Sequence, residues 1–155
     1  MSPSGHFDIG DASLASQLFG QQNKHLKLIE RTLGIKVGSK GTVLHLTGDD
    51  PQVEVGLRLV EELCVVLREG MSLYPQDIDY AIRILSADSS AHLKDIFLDT
   101  IFISARKKII APKSLSQKTY IDGIRQSPVA FGIGPAGTGK TYLAMAMAVA
   151  ALMRK

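Results

Sequence analysis

Eight residues constrain this chain more than any others. Gly134-Pro135-Ala136-Gly137-Thr138-Gly139-Lys140-Thr141 fits G-x-x-x-x-G-K-[ST] at every fixed position. Glycines at 134, 137 and 139 let the backbone take conformations closed to residues with a Cβ and approach phosphate oxygens closely. The amides of about 137–141 are then expected to converge at a helix N-terminus, whose partial positive charge favours an anion. Lys140 adds a full cation for β/γ-phosphates, and Thr141 offers a hydroxyl to Mg²⁺. The flanks have the required context. Val129-Ala-Phe-Gly-Ile133 reads as a short, continuously apolar strand entering the loop, and 140–153 as an Ala/Met-rich helix leaving it. With glycine at ~7% of residues, the bare pattern arises by chance in roughly one chain in a few hundred. We therefore expect nucleoside triphosphate binding, with Lys140 and Thr141 as the catalytic candidates and Thr141 as the metal ligand.

The rest of the composition bounds the setting. A chain of 155 residues makes one ordinary domain or two small ones. Hydrophobic residues at 45% and charged residues at 21% exclude wholesale disorder and collagen-like repeats. The single cysteine, Cys64, precludes an intrachain disulfide; a reducing, cytoplasmic setting is the expectation. The longest mainly apolar run, 143–153, is 11 residues, too short for a bilayer, and the N-terminus has no signal-peptide pattern. No membrane partner is expected. The net charge of +3 conceals an asymmetry: residues 1–104 carry 9 Lys/Arg against 14 Asp/Glu, and residues 105–155 carry 9 against 1. The last third is suited to meet an anion or to be covered by acidic structure.

Along the chain, residues 1–11 are Gly/Ser/Asp-rich and expected to fray. Asn23 is a candidate cap for a helix that Gly34 ends, with Leu26, Ile29 and Leu33 on one face. Residues 35–37 and 42–47 read as strands around a Gly38–Gly41 turn. Asp50-Pro51 opens a helix with Asp50 as N-cap and a stripe of Val53, Leu57, Val60, Cys64 and Leu67, ending near Gly70. A further helix covers 75–85. Residues 100–104 and 108–111 suggest a hairpin around Ala105-Arg106-Lys107, and 114–126 a polar helix. Cys64 and the methionines are expected to pack, and the scattered histidines show no metal-ligand spacing. The run Arg106, Lys107, Lys108, Lys113 and Lys118 is either a solvated tail or a nucleic-acid contact.

The residues around the loop narrow the field further. Ile110-Ala-Pro-Lys-Ser-Leu-Ser-Gln117-Lys-Thr-Tyr120-Ile, followed by the stretch from Val129 through the loop into Tyr142-Leu-Ala-Met-Ala, resembles the start of the ATPase domain of the PhoH-like family. The resemblance is close over about 110–153 and weaker over about 18–70. It implies ATP and Mg²⁺ as cofactors, a fold akin to superfamily 1 helicase cores, a cytoplasmic location and a role in RNA metabolism. Gln117 stands where such cores keep a glutamine that reads the adenine edge; the alternative is a solvated helix residue. Tyr120 packs beside the base or, as we favour, in the core.

The N-terminal stretch resembles a KH-like RNA-binding unit, in which a G-x-x-G loop between two helices clamps single-stranded backbone. Here Gly20-Gln21-Gln22-Asn23 occupies that place, making Gly20, Lys24 and Lys27 the nucleic-acid candidates. Asn23 replaces the second glycine, and no aromatic residue is placed to stack bases there. The expected fold class is therefore α/β, with a small α+β KH-like domain over 1–88. A linker or hairpin and the first β-loop-α unit of an incomplete P-loop domain follow over 89–155. One strand, one loop and one helix cannot bury each other in a parallel sheet, and no acidic strand end follows to hold magnesium or activate water. The expectation is an N-terminal part of a longer ATPase, or a truncated gene product, that retains at most weak nucleotide affinity and little or no turnover. Partners are ATP, and single-stranded RNA or an RNA-processing protein. The alternative is an RNA-binding module whose P-loop is auxiliary or inactive; an AAA-type ATPase explains neither Gln117 nor the KH-like start.

Overall fold

The computed structural model describes residues 4–103 and 109–153. They form two compact units, divided after Lys94. The fold is mixed α/β, with a three-stranded antiparallel sheet and, among the described residues, seven α-helices.

In the first unit the order is β1 (Ser4–Asp8), α1 (Ala12–Phe19), α2 (Lys24–Leu33), β2 (Lys36–Lys40), β3 (Val43–Thr47), α3 (Asp50–Arg68) and α4 (Pro75–Ala87). The sheet order is β1-β3-β2. The alternation of β3 sets its register: Leu44 and Leu46 are fully buried while His45 between them is exposed, the period-2 signature of a sheet covered on one face. Helix α3 covers that face, packing on β1 and β3 and meeting α1 and α4, while α4 also packs on α2. Leu18, Ile29, Leu59, Leu63, Ile78 and Leu85 complete a core with no solvent exposure beyond a few per cent.

Several expectations need correction. Residues 1–3 of the stretch expected to fray lie outside the described residues, but Ser4–Asp8 does not fray: it pairs with β3 along its whole length, from Ser4↔Thr47 to Asp8↔Val43. The hairpin turns at Gly41-Thr42 rather than over 38–41, because Gly38 and Ser39 stay in register with His45 and Leu44. A two-residue connection with positive φ at its first position (Gly41, +63°) suits the strand twist better than a four-residue loop. Asn23 precedes α2 but caps nothing through its side chain; it is left-handed, at φ 58° and ψ 30°. Helix α3 starts one residue early, with Asp49 as N-cap and Pro51 in the first turn. Gly34 (φ +69°) and Gly70 (φ +85°) do end their segments in the left-handed region, where a Cβ is disfavoured.

Helix α5 (Leu93–Phe97) carries the chain into the second unit, which continues with β4 (Phe102–Ile103), β5 (Ile109–Ile110), α6 (Leu115–Gln126) and α7 (Lys140–Met153). Strands β4 and β5 pair antiparallel; the turn residues Ala105, Arg106 and Lys107 of the expected hairpin, with Ser104 and Lys108 of its strands, lie outside the described residues. Ile101, Ile121, Leu143 and Ala146 form a small core with Ile110, Tyr120 and Met147 against it. Residues 129–133 are not a strand. The segment has no sheet partner, and Val129, Phe131 and Ile133 are 69, 86 and 95% exposed. An apolar strand is defined by its neighbours, and none of the described residues pairs with this one. For the same reason α7, apolar nearly all round, buries only Leu143 and Ala146. No helix among the described residues is long and apolar enough to cross a membrane.

Helix α6 is held by an ionic cluster. Arg125 donates both guanidinium arms to Asp99 at 2.6 and 2.7 Å, Lys118 reaches Asp99 at 3.1 Å and Asp122 at 2.8 Å, and Arg125 also meets Asp122 at 3.2 Å. The Arg125 hydrogen bonds and then the Lys118 ammonium hold the Asp99 carboxyl below its ordinary 3.8, against the opposing effect of burial. A carboxyl with a depressed folded pKa contributes stability above its unfolded value, and that stability is lost as pH falls through the folded value. Lys118 is raised, mainly by Asp122, so its contribution is lost only above 10.5. The melting-temperature difference between the wild type and Asp99→Asn is therefore expected to be constant from about pH 5 to 9 and to shrink below about pH 4. Thermal melts across that range check it; a difference that does not shrink as the pH falls below about 4 contradicts the assignment.

Candidate functional site

The glycine loop is built from three directions. Helix α7 begins at Lys140, and its first turn closes when Leu143 N–H donates to Gly139 C=O at 2.9 Å. Gly137 (φ +77°) and Gly139 (φ +85°) turn the chain in the left-handed region. At 139 a Cβ would also stand 3.3 Å from the Gln117 amide nitrogen, a contact that a shift of a few tenths of an ångström in that side chain relieves, so it is the conformation that favours glycine there. The Thr138 hydroxyl donates to Pro135 C=O at 3.0 Å and closes the loop on itself.

The third direction is α6. Its N-cap Ser114 accepts from Gln117 N–H at 3.2 Å, which fixes the first turn. The Gln117 side chain is held at both ends: Oε1 accepts from Lys113 N–H at 2.7 Å and Nε2 donates to Thr138 C=O at 3.2 Å. The structure thus brings Gln117 against the loop across 21 residues of sequence. Tyr120, one turn on, packs against the small core, and its ring lies where a Cβ on Gly132 would sit, 2.9 Å from the nearest ring carbon. It packs on the core half-buried.

Lys140 dominates the electrostatics. Its ammonium folds back over the loop and donates to Gly134 C=O (2.9 Å), Pro135 C=O (2.6 Å) and Thr138 Oγ1 (3.1 Å). No carboxylate among the described residues pairs with it; Asp99 and Asp122 are taken by Arg125 and Lys118. An uncompensated ammonium in a glycine turn at a helix N-terminus is suited to a phosphate. Thr141 is exposed beside it. Of the basic run, Lys113 stands 5.4 Å over the Phe97 ring and Lys118 belongs to the Asp99 cluster, so both are engaged within the unit.

The second candidate lies in the first unit. Gly20 (φ +69°), Gln22 (+54°) and Asn23 (+58°) form a tight turn between α1 and α2. A Cβ on Gly20 would stand 2.8 Å from the His25 ring, which is buried with Nδ1 3.0 Å from Leu18 C=O. Gly20 and Lys24 line one cavity of about 540 Å³; Lys27, exposed further along α2, does not. That cavity is also lined by Tyr74, which is 60% exposed. No aromatic residue was expected beside this turn, and the fold supplies one from the α3–α4 connection. The residue lies 51 positions beyond Asn23, and only its place before Pro75 marked it as the edge of a helix.

Comparison with known proteins adds the ancestry. The family model described as PhoH-like protein matches residues 109–155. The PhoH-like protein of Bacillus subtilis is 35% identical over 138 residues, covering 89% of this chain and 43% of the relative. That of Mycobacterium bovis is 38% identical over 138 residues, covering 89% of this chain and 39% of the relative. This chain belongs to the PhoH-like family. A more distant relative, the PhoH-like protein of Synechocystis, is 27% identical over 139 residues, or 90% of this chain and 42% of its own. The PhoH-like chain thus spans about two-fifths of the length of the curated relatives it matches. No solved structure matches it.

Proposed function

We propose that the second unit of this PhoH-like chain binds Mg²⁺-ATP at Gly134–Thr141. The observation that carries the reading is the Gln117 contact: a side chain suited to an adenine edge is tied to the Thr138 carbonyl inside the phosphate-suited turn. The residues fit the ligand. Lys140 has an ammonium that pairs with no carboxylate among the described residues and would meet the β/γ-phosphates, the turn would supply main-chain donors, and Thr141 would hold the magnesium. The cation would spread charge from the phosphate oxygens when bound. Lys140 and the amides orient the triphosphate, and Gln117 fixes the base end.

Turnover requires more. A carboxylate is needed to position water or a metal-bound ligand, and the described Asp99 and Asp122 are committed to ion pairs on α6. We therefore expect saturable binding of a fluorescent ATP analogue in Mg²⁺, displaced by ATP, with negligible phosphate release from the 155-residue chain. Equilibrium titration and a phosphate-release assay check both. Absence of saturable binding overturns the nucleotide reading, and steady hydrolysis overturns the account of the carboxylates. In a longer chain of this family we propose that the same site serves an ATPase linked to RNA metabolism.

A second reading is favoured by the first unit's topology. The order β1-α1-α2-β2-β3-α3, the sheet order β1-β3-β2 and a glycine-led turn between the first two helices support a KH-like module for single-stranded RNA. Gly20 gives the close approach and Lys24 and Lys27 the phosphate charge. In this reading the loop at 134–141 is auxiliary.

A further inference from the structure

The cavity beside the Gly20–Asn23 turn has features that a phosphate clamp alone does not require. We propose that it receives one unstacked base of a single-stranded polynucleotide against the Tyr74 ring, with Lys24 on the adjoining phosphate. This rests on the KH-like reading and adds to it a base site and the residue that makes it.

The cavity, about 540 Å³, lies within the range of roughly 300–1,000 Å³ that small-molecule sites occupy. Gly20, Gln21 and Lys24 line it from the turn, and Leu73, Tyr74 and Pro75 from the start of α4. Tyr74 leaves 60% of its surface in solvent although its backbone is fixed. Its N–H donates to Asp77 Oδ2 at 3.1 Å, its C=O accepts from Asp77 N–H at 2.9 Å, and Pro75 follows at the first position of α4. An aromatic ring presented by an ordered helix start has little conformational freedom to lose on stacking. Every base offers it a π-face. Gln17 and Gln21, both lining the cavity, carry amides suited to a base edge.

Charge favours a strand over a lone nucleotide. Lys24, Lys27 and Arg31 are exposed along α2, and Lys36 and Lys40 are exposed on β2. Glu30, the one acid among residues 20–48, accepts from Val37 N–H at 2.8 Å. A mononucleotide meets Lys24 alone, whereas a polyanion can use the series.

The test is fluorescence anisotropy on the full 155-residue chain with short uridine and adenosine RNA and thymidine DNA oligonucleotides, across a series of salt concentrations. Tyr74→Ala is expected to weaken binding about 5- to 100-fold without changing the salt slope, and Tyr74→Phe to retain it. Lys24→Ala is expected to reduce the slope by about 1. In an RNA with one 2-aminopurine, binding to the wild type quenches that base and binding to Tyr74→Ala does not, a difference that a structural role for Tyr74 would not produce. A loss on RNA alone or on RNA and DNA alike supports the base site. If the wild type binds no oligonucleotide, the KH-like reading fails and the base site with it. If Lys24→Ala acts while Tyr74→Ala binds and quenches as the wild type does, the base site alone is overturned.

Discussion

Lys140→Ala is expected to weaken Mg²⁺-ATP binding by about 10- to 100-fold or more, because hydrogen bonds to a charged group are worth about 1.5–3 kcal/mol each. The fold should hardly notice. The ammonium is exposed and its three contacts are to groups already open to water, so the change in stability should stay within about 0.5 kcal/mol. Lys140→Arg keeps the charge but replaces a compact ammonium with a planar fork, and should recover part of the affinity. Titration with a fluorescent ATP analogue, paired with a thermal melt, separates lost binding from lost fold. The same variant distinguishes the two readings. If nucleotide is held at Gly134–Thr141, oligonucleotide affinity in the first unit is untouched while ATP binding collapses. Unchanged ATP affinity in Lys140→Ala would move the nucleotide site elsewhere.

What could be read from the sequence divides along a physical line. The loop at 134–141 and the stops at Gly34 and Gly70 are local: a glycine at positive φ needs only its own neighbours. Strand β1 is different. Ser4-Gly-His-Phe-Asp8 has little intrinsic β preference, and it is a strand because β3 offers it five paired positions. Val129–Ile133 fails in the opposite sense: its side chains suit a buried strand, but no described strand pairs with it. Its apolar residues stay exposed, as do Met145, Leu152 and Met153 of α7. The candidate site shows the same division. Gln117 came from resemblance and the fold brings it to Thr138. Tyr74 needed the packing of α4 on α2 and could not be read from its neighbours.

Glu62 is the sharpest case of a residue whose importance only the fold reveals, and its removal is expected to have the largest effect on stability. In sequence it is one acid in Glu61-Glu62, next to the apolar stripe of α3, with nothing to set it apart. In the fold its side chain is 5% exposed. It accepts from Leu93 N–H at 2.8 Å and Arg58 at 2.8 Å, and lies 3.1 Å from His92 Nδ1, clasping the segment after α4 onto α3. Glu62→Ala leaves a buried main-chain N–H without an acceptor. Arg58, 29% exposed, can turn to water, which limits the loss to about 2–3 kcal/mol rather than the 3–5 of a fully buried pair. For a domain of this size that is a fall of roughly 10 °C or more in melting temperature. Glu62→Gln keeps an oxygen for Leu93 N–H and gives up the charge, so it should cost about half as much. Urea unfolding followed by circular dichroism measures the difference, and hydrogen exchange at the Leu93 amide locates it. If Glu62→Ala unfolds at the wild-type midpoint, the carboxylate is not what fastens this segment, and the position of α4, which presents Tyr74, must be set by its apolar face alone.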